Sequence, residues 1–154
     1  AVEIDGKAYW DGGYMGNPPL YPLFYETDCQ DVLLIEVNPV ESDEIPKTAR
    51  AIENRLNEIT FNSTLLRELR TVEFVSRLID QGKLDPKEYM RVFMHVISAA
   101  EEMKELSSSS KFNLELDFLL YLKKLGRKSA EEWLDKNYDQ IGKGSSINMR
   151  DMIN

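Results

Sequence analysis

The sequence predicts an α/β protein with too few strands to close a complete sheet. A short apolar run rich in β-branched residues, 31–37, is typical of a strand buried in a parallel sheet, and residues 90–97 are predicted to form another strand. Between them, apolar residues recur every three or four positions, as a one-sided helix requires. The 154 residues fit one domain, and a hydrophobic content of 42% is sufficient for a core.

The first ten residues are predicted to form a β-hairpin. Asp5-Gly6 stands between two strand-like runs, and this pair favours a tight turn in which both residues have positive φ. An irregular stretch rich in Gly and Pro follows at 11–22 and leads into the predicted strand at 31–37.

A long helical region is expected to begin near Pro46, because proline is favoured in a first helical turn. Its apolar face is formed by Ala49, Ile52, Leu56 and Ile59 and then by Leu65, Leu69, Val72, Val75 and Ile79. The pattern shifts phase around 61–63, where we expect a bend or a break. Gly82 is placed to end the helix as a left-handed residue.

The C-terminal third is predicted to contain a four-serine loop, two helices and a loose tail. The apolar residues of the first helix are Phe112, Leu116, Leu119 and Leu120, and Gly126 is expected to close it. Ser129 and Glu132 fit the reciprocal capping pattern, which predicts a second, short helix. The tail from Gly142 is polar, and we expect few contacts for it.

The net charge of −8 is concentrated near the start of the chain. Residues 1–45 hold ten acidic residues and one lysine, whereas residues 46–154 hold seventeen acidic and eighteen basic residues. Binding of nucleic acid needs a clustered cationic face, so the composition argues against that partner. We interpret the acidic segment as a solvated surface, with a surface that faces another part of the same protein as the alternative.

The sequence shows no sign of membrane insertion or export. No apolar run reaches the roughly 20 residues of a spanning helix, and no signal peptide is visible. The single cysteine, Cys29, excludes an internal disulfide and fits a reducing compartment. We therefore expect a cytoplasmic location, with peripheral membrane contact as a further option. Because Ala1 stands where an initiator Met would be, we also expect a processed or truncated product.

The candidate for chemistry is the segment Trp10-Asp11-Gly12-Gly13-Tyr14. Taken alone, an Asp-Gly-Gly triplet most often marks a turn. The arrangement also suits a catalytic carboxylate, because Asp11 follows a predicted strand end and the two glycines would let the backbone approach a second loop without side-chain collision. Both interpretations stay open on these residues alone.

Together with Asn17-Pro18-Pro19-Leu20, this segment resembles the Asp-Gly-Gly block of bacterial patatin-like phospholipases. The resemblance covers nearly the whole chain, through Asp31-Val32-Leu33-Leu34-Ile35, Thr48-Ala49-Arg50-Ala51-Ile52, Asn57-Glu58-Ile59-Thr60-Phe61-Asn62, Leu65-Leu66-Arg67-Glu68-Leu69, Phe118-Leu119, Leu125-Gly126-Arg127 and Trp133-Leu134. It implies that residues 1–45 are the end of a patatin-like catalytic domain, an α/β/α sandwich. Residues 46–154 would then be a mostly helical C-terminal extension.

The resemblance implies a lipid acyl hydrolase with a Ser-Asp dyad, which cleaves acyl ester bonds of phospholipids or related lipids. In that family a Ser on a Gly-x-Ser-x-Gly turn attacks the acyl carbonyl, the Asp takes its proton, and an upstream glycine-rich loop binds the oxyanion. Asp11 matches the base, with Gly12 and Gly13 supporting its loop. No Gly-x-Ser-x-Gly occurs in the 154 residues, so the chain has no nucleophile and is expected to be inactive without an N-terminal catalytic half. No metal or organic cofactor is implied.

Two other features and one rival function complete the expectations. His95 is the only histidine, which excludes a His-based triad or a multi-His metal site and favours a structural role. Lys143 is followed by Gly144 where a phosphate-binding loop needs Ser or Thr, so a flexible tail is the better interpretation. The rival function is a non-catalytic helical interaction module. In either case, an unpaired strand edge predicts a homo-oligomer.

Overall fold

The structure, a computed structural model, describes residues 1–37, 45–103, 106, 110 and 113–153. Helices and two small sheets occur along these residues, which confirms the α/β class. Within the described ranges, no helix is long and apolar enough to cross a membrane. Most of the predicted serine loop (107–109) and Phe112 lie outside the described residues.

The chain divides into two compact units, which are described separately. The first unit is formed by Ala1–Cys29, Glu44–Met90 and Met149–Asn154. The second unit is formed by Gln30–Asp43 and Arg91–Asn148. The candidate residue Asp11 belongs to the first unit, and His95 belongs to the second.

The predicted hairpin is confirmed. Strands β1 (Val2–Ile4) and β2 (Lys7–Tyr9) pair in antiparallel register. The turn residues Asp5 and Gly6 have φ values of 50° and 72°, the left-handed pair that a type I′ turn requires. The hairpin ends directly before Trp10, so its second strand leads into the candidate site. After that site comes the short helix α1 (Tyr21–Glu26).

The long helix α2 (Ala49–Asp80) begins and ends on local signals. It starts three residues after Pro46, where the Thr48 side chain accepts a hydrogen bond from the Ala51 N–H at 3.2 Å. At its end Gly82 has a φ of 67° and donates to the Ile79 carbonyl. The Lys83 N–H bonds the Leu78 carbonyl in the same motif, which confirms Gly82 as the terminating residue.

The break expected at 61–63 is wrong, because α2 is helical throughout. The shift in the apolar pattern has a different cause: in the first half the apolar residues lie off the less exposed face, which there contains Ala51, Asn54 and Glu58. The apolar residues of the first half are exposed: Ile52, Leu56 and Ile59. The residues buried in the second half are Leu65, Leu69, Val72 and Ser76. The hydroxyl of Thr60 donates to the Leu56 carbonyl of its own helix and so needs no partner outside it.

The second unit contains the parallel sheet. Strand β3 (Asp31–Glu36) pairs with β4 (Phe93–Ser98) in parallel register, as expected for a buried strand of such a sheet. Only one face of β3 is buried, that of Val32 and Leu34, while Leu33 and Ile35 are exposed. The sheet has two strands in the described residues, fewer than a complete sheet, as the sequence predicts.

The two helices expected around Gly126 are one. After the short helix α3 (Ala100–Met103), helix α4 runs from Leu116 to Asn137 without interruption. Gly126 does not have the positive φ that would end a helix. The Ser129 hydroxyl donates to the Leu125 carbonyl one turn earlier, so it does not cap a new helix. The capping prediction was therefore wrong.

The tail from Gly142 is held by specific contacts, which contradicts the expectation of a loose segment. In the second unit, the Gly142 N–H donates to the Asp31 carboxylate, and Ser145 and Ser146 bond the backbone of Met94. In the first unit, helix α5 (Met149–Ile153) binds α2, with Arg150 Nε 2.7 Å from Glu73 Oε1. These partners lie far away in the sequence, so no local pattern marks them.

The two halves of α2 predict different responses to the same truncation. Leu69 is fully buried, so Leu69→Ala should lower the free energy of unfolding by about 2–5 kcal/mol. Leu56 is 59% exposed, and Leu56→Ala should change it by no more than about 0.5 kcal/mol. Urea unfolding of both variants checks this pair. Equal losses would show that the exposed face of the first half is covered in solution.

Candidate functional site

The Asp11 carboxylate lies at the surface, directly after β2 and Trp10. Its Oδ1 accepts a hydrogen bond from the Gly13 N–H at 2.8 Å, and its backbone carbonyl accepts one from the Tyr14 N–H at 3.2 Å. Together these bonds cap a single 3₁₀ turn, Gly12–Tyr14. Oδ2 accepts no hydrogen bond from the described residues, so one oxygen of this exposed residue is oriented by the backbone and the other is not.

Gly13 is where the backbone of this segment meets α2. A Cβ on Gly13 would lie 2.6 Å from Cε1 of Phe61 and 3.2 Å from Asp11 Oδ1, so a side chain there would displace the ring. A Cβ on Gly12 would have nothing within 4 Å. The close approach expected for both glycines is thus found for Gly13 alone, and its partner is a helix instead of a loop.

Aromatic rings line the same segment. Tyr14 packs on Phe61 with ring centroids 5.2 Å apart, and Trp10 meets Tyr14 edge-on at 6.3 Å. Trp10, Tyr14 and Met15 are all exposed. The surface beside Asp11 therefore presents large apolar groups next to a carboxylate.

The rest of the segment is bound to α2 through hydrogen bonds that sequence reasoning missed. The Asn17 N–H donates to Thr64 Oγ1 at 3.2 Å. The N–H groups of Leu20 and Tyr21 donate to one oxygen of Glu68, at 2.6 and 2.9 Å. Leu20 is buried and stands at the capping position of α1, but its apolar side chain cannot accept a hydrogen bond. Glu68 accepts from the first N–H groups of the helix in its place.

The second unit contains a polar pair of a buried histidine and a half-buried aspartate. His95 Nε2 lies 2.9 Å from Asp31 Oδ1, which also accepts the Gly142 N–H at 2.9 Å. Burial alone would raise the pKa of Asp31. The hydrogen bonds from Gly142 and His95, with the attraction of a charged His95 ring, outweigh burial and hold the pKa of this carboxyl below its usual value of 3.8.

The surroundings of His95 favour a structural role. Its ring is 1% exposed and meets Trp133 edge-on at 5.6 Å. His95 Nδ1 and Trp133 Nε1 are buried without a hydrogen-bond partner among the described residues. The pair links β3, β4, α4 and the segment around Gly142 within one unit.

The part of the chain that the structure describes contains no cluster of side chains that could bind a metal ion. No group of three or more His, Cys, Asp and Glu side chains comes together there. Cys29 lies at the surface.

In comparisons with protein-family models, curated proteins and solved structures, nothing matches this chain. The Asp11 segment is therefore judged by its own geometry.

The two glycines of the segment give a matched test of its packing. Gly13→Ala should lower the free energy of unfolding by about 1–3 kcal/mol, because the new methyl group displaces the Phe61 ring. Gly12→Ala has open space and should change it by no more than about 0.5 kcal/mol. Thermal and urea unfolding measure both variants. A Gly13→Ala protein as stable as Gly12→Ala would disprove the contact.

Asp31 predicts a dependence of stability on pH. Its folded pKa lies below the value of the unfolded chain, so the unfolded state binds the proton more readily. The stabilisation is complete well above pH 3.8 and is lost as the pH falls through the lower folded pKa. The difference in free energy of unfolding between wild type and Asp31→Asn should therefore shrink as the pH falls.

The control for that measurement is Asp28→Asn. Asp28 is exposed and has no hydrogen bond to a described residue, so Asp28→Asn removes a surface carboxylate without removing a contact of this kind. Urea unfolding between neutral pH and pH 2.5 is the measurement, the lower limit being about a unit below the usual Asp range. A difference for Asp31→Asn that is constant over this range would rule out the linkage.

Proposed function

We propose that this chain is the C-terminal part of a patatin-like lipid acyl hydrolase and that Asp11 is its general base. The observation that carries the proposal is the state of the Asp11 carboxylate. One oxygen is oriented by the Gly13 N–H, the other accepts no hydrogen bond from the described residues, and Asp11 lies at the surface. A general base needs this combination of fixed geometry and access. The quoted resemblance supplies the reaction class.

The proposed reaction has two steps. A serine hydroxyl of the N-terminal catalytic half attacks the acyl carbonyl carbon and forms a new C–O bond, while its proton passes to Asp11 Oδ2. The tetrahedral intermediate then collapses, the ester C–O bond breaks, and the leaving alcohol takes the proton from Asp11. Water repeats the sequence on the acyl-enzyme and releases the fatty acid. Backbone N–H groups of the same upstream half would stabilise the oxyanion.

The surface beside Asp11 supports an apolar substrate. Trp10 is 73% exposed and Met15 is 86% exposed, and both lie within four residues of the carboxylate. Exposed Trp and Tyr side chains suit the boundary between water and lipid, because one end of the ring system is apolar and the other is polar. This favours a lipid or acyl ester substrate and peripheral contact with a membrane surface.

A helical interaction module is the second candidate, and the first half of α2 favours it. Ile52, Leu56 and Ile59 are exposed at helical spacing and form one apolar stripe. Such a stripe suits a protein partner, which a second copy of the chain would provide. The presence or absence of Gly-x-Ser-x-Gly in the residues encoded upstream of Ala1 separates the two candidates.

Replacement of Asp11 tests the proposal in the protein that includes the upstream half. Asp11→Asn is nearly isosteric and retains an oxygen for the Gly13 N–H, but it takes no proton from the serine. Its kcat for a p-nitrophenyl ester should fall by about 10²- to 10⁴-fold. Asp5→Asn is the control, because Asn also adopts the positive φ of the hairpin turn. If Asp11→Asn retains more than about a tenth of the wild-type rate, Asp11 is only a turn residue.

The 154 residues alone provide the complementary experiment. Without a nucleophile on a Gly-x-Ser-x-Gly turn, the purified chain should hydrolyse no p-nitrophenyl ester. Hydrolysis by this chain that a serine-directed phosphonate abolishes would mean that a serine of these residues acts as the nucleophile, and the proposed division of roles would then be wrong.

A further inference from the structure

We infer that Phe61, Thr64 and Glu68 of α2 are positioning residues that hold Asp11 in the orientation of a general base. This inference rests on the proposed function of Asp11. It gives a defined task to a helix that the resemblance places outside the catalytic domain. The Asp11 loop is defined here as residues 11–20.

The Asp11 loop needs support from outside itself. Its regular structure is limited to the single turn Gly12–Tyr14, and the backbone bonds within it end at Gly16. A stretch of this kind keeps one conformation only if its remaining backbone groups find partners. The partners of Asn17 and Leu20 are side chains of α2.

Three contacts attach the loop along one face of α2. Phe61 packs against Gly13, Thr64 accepts from Asn17, and Glu68 accepts from Leu20. The positions on the helix are three and four residues apart, so they lie on the same side. The order of the contacts is the same on loop and helix, and seven helical residues span about 10 Å. The loop is therefore fastened at its start, middle and end.

Helix α2, which supports the loop, is itself held in place by the core and by α5. Leu65 and Leu69 are interleaved with the contact residues, and both are buried in the core of the first unit. Farther along α2, Glu73 binds Arg150, and Arg70 donates to the Ile153 carbonyl at 3.0 Å. A helix that is held by its core face and by α5 fixes the position of a loop that is attached beside that face.

Phe61 acts on Asp11 through Gly13. The ring lies directly against Gly13, whose N–H bonds Asp11 Oδ1, so a shift of the ring changes the direction of that bond. Glu68 fixes the opposite end of the loop with two short, charge-assisted bonds. Loss of either contact lets the carboxylate move relative to the serine. A displacement of 1 Å can cost about 10²-fold in rate without any change in chemical groups.

The experiment compares variants of α2 in the protein that includes the upstream half. Phe61→Ala and Glu68→Ala should each lower kcat for a short-chain p-nitrophenyl ester by about 10- to 100-fold, with KM within about threefold of wild type. Glu68→Gln retains an acceptor oxygen and should recover most of the rate. Glu53→Ala is the matched control, because Glu53 is exposed on the same helix and has no hydrogen bond or ion pair with the described residues. It should leave kcat unchanged.

A second measurement separates positioning from loss of fold. In the 154-residue chain, Glu68→Ala should accelerate hydrogen exchange of the Leu20 and Tyr21 amides at least about tenfold, since both lose their acceptor. Glu53→Ala should not accelerate it. If Glu68→Ala or Phe61→Ala unfolds the protein, Glu68→Gln and Phe61→Leu are compared instead, and a lower kcat at unchanged KM for Phe61→Leu supports the inference.

The outcomes distinguish this inference from the proposal on which it rests. An active Asp11→Asn protein overturns the proposed function itself. An inactive Asp11→Asn protein together with wild-type kcat in the Phe61 and Glu68 variants leaves the base in place and overturns only the positioning role. Equal losses of kcat in Glu53→Ala and Glu68→Ala would also overturn it, because the effect would then not depend on the contacts.

Discussion

The ring of Phe61 and the backbone of Gly13 approach so closely that no Cβ fits between them without displacing the ring. This contact sets how near the loop lies to α2, and the hydrogen bonds to Thr64 and Glu68 form at that separation. The adjacent row of the same helix, with Leu65, is buried. One stretch of helix thus packs into the core and, in the neighbouring row, supports the loop that carries a carboxylate. A volume change in the core would be felt at the loop, because close-packed groups transmit displacement.

Sequence reasoning succeeded where the signal is local. Asp5-Gly6 fixes a turn through the φ values of two neighbouring residues, and Gly82 ends a helix through the same left-handed conformation. The strands β3 and β4 were predicted because short runs of β-branched and apolar residues indicate buried strands. Asp11 was identified as a candidate from adjacent residues only, and the structure places it on the surface with one oxygen oriented.

The remainder depends on residues that are distant in the sequence. Glu68 lies 48 residues from Leu20, and nothing in the sequence around either one identifies the other. Gly126 was taken as a helix end because glycine often ends helices, yet the backbone there stays helical and the packing of Leu125 and Trp133 in the core outweighs the small cost of glycine. The tail was expected to be loose because it is polar, and its partners Asp31, Met94 and Glu73 are distant in the sequence.

The bonds around Met94 also bear on the exposed edge of the two-stranded sheet. The Phe93 N–H donates to the carbonyl of Gln30, next to β3. Because successive residues of a strand direct their backbone groups to alternate sides, the N–H and carbonyl of Met94 point away from β3. There its N–H donates to Ser145 Oγ and its carbonyl accepts from the Ser146 N–H. The two serines thus occupy hydrogen-bonding sites that an added strand would use for docking. Proteolytic removal of the last ten residues would expose these sites, and aggregation through the open edge would be the consequence.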